Sequence, residues 1–499
     1  MKDRVATDRM VLGSVLMVSA GVACLWTQDE EVKGWPGGSG GASGGVAAQG
    51  GGSGGKIAAG GTAGTPSAGG GGFTGGAGGT GGSGGSPSGM GGTFDGGAAG
   101  ETAGDAGAGG AAEAGAAGMG AEAGAGGAGD AGAAGAGGDD GAALVPELRP
   151  ISAERVDQLT VPDGFSVSVF AQNLGMARML ATYGDFVYVT RPTPGDVLRL
   201  EDTNGDGVAD SRVTVAADLP LVHGIAFLDS DVYLVTENVV YRGTVDDDGN
   251  FSELTPIIDD LPDGGLHPLR TIGIGPDERL YVAVGSNCDA CVQNDSEQAT
   301  ILRAPLDGAT RTIFASGLRN TLGFDWHPDT GELWGMDNGT DSLANAPDEL
   351  NHIEEGNAYG WPYCFGDRLV DPQVPNPPGT TKLAYCAMTT PPVLETEPHS
   401  VPTALVFYTG DSFPEDYRGD AFATLHGSTD RVPPSGFEVI RIRFEDGQPV
   451  AIEPFVSGFV IEQGQAQFGR PTGLTVASDG ALLFSDDANG AIYRVTYAP

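Results

Sequence analysis

Residues 267–286 read HPLRTIGIGPDERLYVAVGS: two short apolar runs, TIGI and RLYVAV, joined by the turn Gly275-Pro276-Asp277 and headed by a histidine. Runs of four to six residues bounded by Gly, Pro and Asp predict strands. The second run recurs as DFVYVT (185), DVYLVT (231), ELWGMD (332), DAFATL (420) and ALLFSD (481), and a first apolar strand precedes each, as in GIAFLDSD, LGFDWHPDTGE and GLTVASDG. The starts are 46, 48, 53, 88 and 61 residues apart, and no amphipathic helical segment fills the gaps. Such a period built of short strands predicts an all-β fold, a six-bladed β-propeller. The early strand Phe165–Phe170 would complete the last blade and remove an open edge. The long fourth interval predicts an inserted loop around Tyr359-Gly360-Trp361-Pro362-Tyr363-Cys364.

Outside the repeat, composition divides the chain into three parts. Residues 1–26 carry Lys2, Arg4 and Arg9 ahead of an apolar run from Val11 to Trp26, which is the pattern of a signal peptide. Cys24, after Gly21-Val22-Ala23, resembles a bacterial lipoprotein box, although Gly21 stands where Leu is usual. The expectation is an exported bacterial protein of the periplasm, outer membrane or cell surface, lipid-anchored at Cys24 and meeting the membrane only there. Residues 27–144 are dominated by Gly, Ala, Ser and Thr and bury too little apolar surface to offset the entropy of ordering, so a disordered linker is expected. Residues 145–499 form the globular domain.

Of the chain's 66 acidic and 25 basic residues, the first 142 hold 13 and 5, which leaves 53 and 20 and a formal charge of −33 for the remainder. That balance argues against a nucleic-acid partner. In a propeller the first strand of each blade lines the central channel, so residues just ahead of those strands share one mouth. They are Arg178, His223, His267, Arg319 with Asn320, His399 with Ser400, and Arg470. Each alone has the plain reading of a strand-end side chain bonded to a carbonyl or water. Six together, in a domain this short of cations, imply an anionic ligand bearing several carboxylates or phosphates.

Three further motifs carry chemistry. Asp202, Asn204, Asp206 and Asp210 have the oxygen spacing of a calcium loop, but Val213 stands where a bidentate Glu is needed, so a solvated turn and a calcium loop both remain open. Cys288 and Cys291 form a CxxC followed by Val292 rather than His, which excludes covalent haem. With Cys364 and Cys386 they make four cysteines, for which disulfides 288–291 and 364–386 are expected, with zinc as the alternative. Tyr359, Trp361 and Tyr363 would either stack on a ligand or form a small core of their own.

The stretches HPLRTIGIGPDERLYVAVGSNCDAC, FASGLRNTLGFDWHPDTGELW, NGTD, PDELNHIEEGNAYGWPYC, HSVPTALVFYTGDSFPEDYRGDAFATLHGS and GRPTGLTVASDGALLFSDDANGAIYRV, taken in order, resemble the sorbosone and glucose dehydrogenase family. Its members are six-bladed propellers that use pyrroloquinoline quinone (PQQ), a planar tricarboxylate, together with Ca2+. The resemblance implies oxidation of an aldose or sorbosone-like sugar, with electrons passing to an external acceptor such as a cytochrome or quinone. It makes His267 the general base and Arg319 the residue against the quinone oxygens, with Asn320 beside it, and Arg470 a holder of a cofactor carboxylate. Arg178, His223, His399, Ser400 and His426 join the cofactor-binding set. The carbonyls of Gly339 and Thr340 fall at the calcium site and Asp348 joins the metal-binding set, with Asp348 and Glu349 matching an acidic pair that follows. Three positions depart from the soluble glucose dehydrogenases: Ser286 stands where a carboxylate orients the base, His426 where a lysine meets the cofactor, and Leu322 where a glutamine stands. These departures suit the sorbosone-like branch. Two rival functions on the same scaffold are a calcium-dependent lactonase, which would need Asp, Glu and Asn side chains converging on the channel, and a non-catalytic propeller that binds protein or carbohydrate.

Overall fold

The computed structural model describes residues 145–499. The expected signal segment, the lipid site at Cys24 and the linker lie outside the described residues. The domain is nearly all β, with helices only at Ala153–Val156 and Lys382–Cys386 apart from two short 3-10 turns.

Six four-stranded antiparallel sheets account for most of the domain. Their first strands are Leu180–Tyr183, Gly224–Leu228, Thr271–Ile274, Thr321–Trp326, Pro402–Phe407 and Pro471–Val476. Each first strand packs beside the first strand of the next sheet, and the sixth packs beside the first, so the contacts run in a cycle. The sixth sheet takes its fourth strand from the beginning of the domain: Phe165–Ala171 pairs antiparallel with Ala491–Tyr497, as the closing role read from the sequence requires.

A hydrogen bond ties each sheet to the next at the same end of this cycle. Thr190 Oγ1 donates to the His223 carbonyl (2.7 Å), His223 Nδ1 to the Arg270 carbonyl (3.0 Å) and the Ser286 amide to the Arg319 carbonyl (2.8 Å). Asn338 Nδ2 donates to the Pro402 carbonyl (2.9 Å), Thr403 Oγ1 to the Thr472 carbonyl (2.9 Å) and Ser485 Oγ to the Arg178 carbonyl (2.5 Å). Buried donors and acceptors are thereby satisfied where strands of different sheets meet without a ladder. The approach is close enough to require glycine. A Cβ on Gly323 would lie 2.4 Å from the Ala404 carbonyl carbon, and one on Gly473 2.2 Å from the Arg178 carbonyl oxygen.

The core lies between the faces of neighbouring sheets. In the second strand of the third sheet, Arg279–Val284, residues Leu280, Val282 and Val284 pack toward the second sheet and Tyr281 and Ala283 toward the fourth. Both faces of the strand after Arg279 are therefore buried, which is why Leu280–Val284 is continuously apolar instead of alternating with polar residues. Trp334 and Met336 against Leu333, and Phe484 against Leu483, divide in the same way. Truncating one such side chain, as in Leu280→Ala, carries a cost of about 2–5 kcal/mol.

The insertion of the long interval lies between the third and fourth strands of the fourth sheet, Asp348–Ile353 and Leu394–Thr396. It holds the hairpin Cys364–Phe365 with Leu369–Val370, and its short helix is tied back by the disulfide Cys364–Cys386. Cys288 and Cys291 are bonded to each other, so the disulfide pairing holds at both sites and no thiol of the four is left for zinc. Tyr359, Trp361 and Tyr363 of the insertion are buried: Tyr363 packs with the half-buried Tyr385 and the disulfide, and the Tyr359 hydroxyl donates to the His352 carbonyl.

Candidate active site at one end of the ring

The residues ahead of the first strands are all buried, between 0 % exposed for His223 and 6 % for His399 and Arg470. The third sheet departs from the sequence expectation. The residue immediately ahead of its first strand is Arg270, and His267 stands one turn earlier. Arg270 donates to the carbonyls of Glu237, His267 and Pro262, and its burial lowers its pKa to about 10. It braces the backbone that carries His267, a role the sequence reading missed.

His267 is held by the end of the next strand. Its Nδ1 lies 2.8 Å from the Ser286 carbonyl and 2.9 Å from Ser286 Oγ. A carbonyl only accepts, so Nδ1 carries the proton and Nε2 the lone pair. Burial, and next the Arg319 guanidinium, hold the pKa of His267 well below the usual 6.5. Gly285 keeps the neighbourhood open, because a Cβ there would lie 2.7 Å from both His267 Cβ and Asn320 Oδ1.

Arg319 faces two carboxylates. Its Nε donates to the Asp289 carbonyl (3.0 Å), and Nη2 donates to Asp289 Oδ1 (2.8 Å) and Asp341 Oδ2 (3.0 Å). Among the described residues, Nη1 makes no hydrogen bond. The backbone amides of Arg319 and Asn320 donate to the buried Asp337 carboxylate at 2.8 Å each, which fixes where the guanidinium starts.

On the opposite side Asp487 is shared. Arg178 Nη1 donates to one of its oxygens (2.7 Å) and His426 Nε2 to the other (2.9 Å). Burial works to raise the Asp487 pKa, but the His426 and Arg178 partners outweigh it and hold it well below the usual range. Arg470 donates to the carbonyls of His426 and Gly427, lies over the Phe437 ring, and is anchored through its amide by Asp486. His426 and His223 are held at pKa values of about 4 and about 3, mainly by burial and then by Arg470 and Arg178 respectively, so both are neutral. His399 is the exception. Its Nδ1 meets Asp430 (2.8 Å) and its Nε2 the Leu343 carbonyl (3.1 Å); burial works against its charge, yet these partners raise its pKa. Ser400 Oγ donates to the Glu397 carbonyl.

Part of the anion that these cations face is internal: Asp487, Asp289, Asp341 and Asp430 supply counter-charge, and no pattern around the first strands points to them. Among the described residues, Nε of Arg178 and Nε2 of His223 are buried without a hydrogen-bond partner; with Nδ1 donating to the Arg270 carbonyl, Nε2 of His223 is an acceptor.

The segment Asn338–Asp341 lies against this cluster. Asp348 Oδ1 accepts from the Gly339 amide and Oδ2 from the Val401 amide, both at 2.9 Å, and burial raises its pKa to about 7. Asp348 therefore fixes the backbone of the segment. Glu349 accepts from the Gly366 amide in the insertion, and burial raises its pKa to about 8. The carbonyls of Gly339 and Thr340 accept no hydrogen bond among the described residues, and those residues contain no cluster of three His, Cys, Asp or Glu side chains set for a metal ion. In the Asp202–Asp210 loop the acidic oxygens accept from the loop's own amides, as Asp202 does from Gly205 and Gly207.

A family model described as TrAA12-like matches residues 159–498. An uncharacterized protein of Borreliella burgdorferi is 29% identical over 377 residues, covering 70% of this chain and 93% of that protein. A pyrroloquinoline quinone-dependent sugar dehydrogenase of Hypocrea jecorina is 25% identical over 357 residues, covering 59% of this chain and 79% of the relative. Among solved structures, the calcium structure of a Trichoderma reesei carbohydrate-active enzyme of family AA12 shares the fold at a TM-score of 0.60 and 22% identity, covering 68% of this chain and 97% of that one.

Proposed function

The chain belongs to the TrAA12-like family of pyrroloquinoline quinone-dependent sugar dehydrogenases, and on that premise we propose that it oxidises an aldose or sorbosone-like sugar with PQQ and Ca2+ on a six-bladed propeller whose blades are the six sheets. The observation that carries the reading is the fixed tautomer of His267 beside Arg319: a lone pair on Nε2 and an oriented guanidinium at one end of the ring.

The donor set fits a planar tricarboxylate. Nη1 of Arg319 and Nε and Nη2 of Arg178 make no hydrogen bond among the described residues once the protein's own carboxylates are served. Asn320, Arg470, His223, His399, Ser400 and His426 complete the surrounding polar wall. The carbonyls of Gly339 and Thr340, on a segment braced by Asp348, suit a hard cation that prefers oxygen ligands. PQQ, when bound, supplies the carbon that accepts hydride and stores the electrons for an external acceptor. His267 Nε2 takes the proton from the sugar hydroxyl, and the depressed pKa keeps that nitrogen unprotonated. Ser286 holds the imidazole in register, replacing an orienting carboxylate by a carbonyl and a hydroxyl. Arg319 stabilises negative charge that develops on the ligand oxygens it faces. The N-terminal segment, read as an export signal with lipid attachment at Cys24, would hold the domain at the cell envelope on the long linker.

The test is to add PQQ and Ca2+ to purified protein, follow the bound-cofactor absorbance, and screen aldoses with an artificial electron acceptor. Failure to bind PQQ would end this reading, and binding without turnover of any sugar would reduce the protein to a cofactor carrier.

A further inference from the structure

Cys288 and Cys291 close a four-residue loop by their disulfide, and Asp289 stands inside it. Through its carbonyl Asp289 accepts from Arg319 Nε (3.0 Å), Trp361 Nε1 (3.2 Å) and Thr340 Oγ1 (3.3 Å). Through its carboxylate it accepts from Arg319 Nη2 (2.8 Å), the Asp341 amide (2.8 Å) and the Ser342 amide (3.1 Å). Three separate pieces of chain, the end of the third sheet's last connection, the Asn338–Ser342 segment and the insertion, thus converge on one residue. The loop also reaches the base: Ser286 Oγ, which accepts from His267, donates to the Cys288 carbonyl at 2.7 Å.

We propose that Asp289, held in place by the Cys288–Cys291 loop, is a positioning residue that sets both the guanidinium of Arg319 and the Asn338–Ser342 segment for the anionic cofactor. The inference rests on the reading of Arg319 given above. Its physical basis is the fork geometry. Nε and Nη2 side-on to Asp289 leave Nη1 without a protein acceptor among the described residues. Asp341 shares the same Nη2, so without the Asp289 carboxylate the guanidinium has a second acid to swing toward. A buried guanidinium with one carboxylate in place of two would settle on that acid and carry Nη1 with it. The disulfide matters because a carboxylate positions others only as well as its own backbone is positioned.

The test uses Asp289→Asn, which keeps the carbonyl contacts and removes the charge. PQQ affinity, titrated by quenching of tryptophan fluorescence, should fall by about 10- to 100-fold. In a double-mutant cycle, Asp289→Asn should cost clearly less in an Arg319→Ala background than in the parent, the remainder being the loss of the Asp341 and Ser342 contacts. Additive losses, or a PQQ affinity within about twofold of the parent, would overturn the proposal. Hydrogen exchange supplies an arm free of cofactor: the amides of Asp341 and Ser342 in PQQ-free protein should exchange faster in Asp289→Asn and in the Cys288→Ser/Cys291→Ser pair, and unchanged protection would also overturn it. If the parent protein binds no PQQ at all, the functional reading fails by itself, while the exchange result still decides whether Asp289 holds the segment.

Discussion

His267 and Ser286 are joined through Nδ1, which lies 2.8 Å from the serine carbonyl and 2.9 Å from its hydroxyl, so that the histidine presents Nε2 as an acceptor. Burial and the Arg319 charge keep its pKa well below 6.5. A depressed base is already deprotonated at lower pH, so the acid limb of kcat/KM should fall below pH 6.5. His267→Ala should retain PQQ affinity and lose turnover by about 100-fold or more. Full activity in that variant, read by dye reduction, would reject its role.

Arg319 should show a different signature. Lysine in its place keeps a charge but cannot reproduce the fork that spans Asp289 and Asp341. Arg319→Lys is expected to lower kcat by about 100-fold, the size of losing one aimed donor at a developing charge, with a smaller change in KM for the sugar. Equal losses in sugar binding and no loss in kcat would place Arg319 outside the reacting centre.

Arg178 and Asp487 are 309 residues apart in sequence and 2.7 Å apart in space, with side chains 3% and 11% exposed. Removing one partner of a buried pair strands the other. Asp487→Asn should destabilise the domain by about 3–5 kcal/mol in urea unfolding. Asp487→Asn combined with Arg178→Met, which removes the stranded charge as well, should recover part of that loss. If the single variant costs less than about 1 kcal/mol, the pair is not the clasp between the first and sixth sheets that its geometry indicates.

That separation also explains what the sequence could and could not reveal. The sheets were legible because a strand buried on both faces must be apolar along its whole length, as in Leu280–Val284. The cations were legible because each lies within a few residues ahead of a first strand. Their counter-ions were not: Asp487 follows a second strand of the sixth sheet and pairs with the first sheet, and Asp289 sits in a loop whose partners lie in two other segments. No local pattern encodes such pairings. Arg270 was missed for a different reason, since nothing in HPLR says which of its residues directly adjoins the strand and which lies a turn away.

Asp348, Asp486 and Glu349 have pKa values raised by burial to about 7, about 7 and about 8. Asp325 and Asp337 are raised to about 6 and Glu438 to about 7, again by burial first. A carboxyl whose folded pKa is raised stays protonated in the folded state while the unfolded chain ionises, so its contribution is fully present below its unfolded pKa and is lost as pH rises toward the folded value. Lowered histidines act in the opposite sense: His223 and His426, at about 3 and about 4, favour the folded state above pH 6.5 and lose that contribution as pH falls. The raised carboxyls outnumber the depressed histidines, so folding takes up protons between about pH 5 and 7. The melting temperature of residues 145–499 should therefore be higher near pH 5.5 than near pH 8, and it should fall again below about pH 4, where the unfolded chain's aspartates take up protons while Asp487 and Asp289 of the folded protein stay ionised. A melting temperature that climbs steadily from pH 5 to 8 would mean that these carboxyls are ionised in the folded protein. Asp348→Asn should weaken this preference for acid, with a profile flatter than the parent's from about pH 4 up to about 7, because one of the titrating groups is gone.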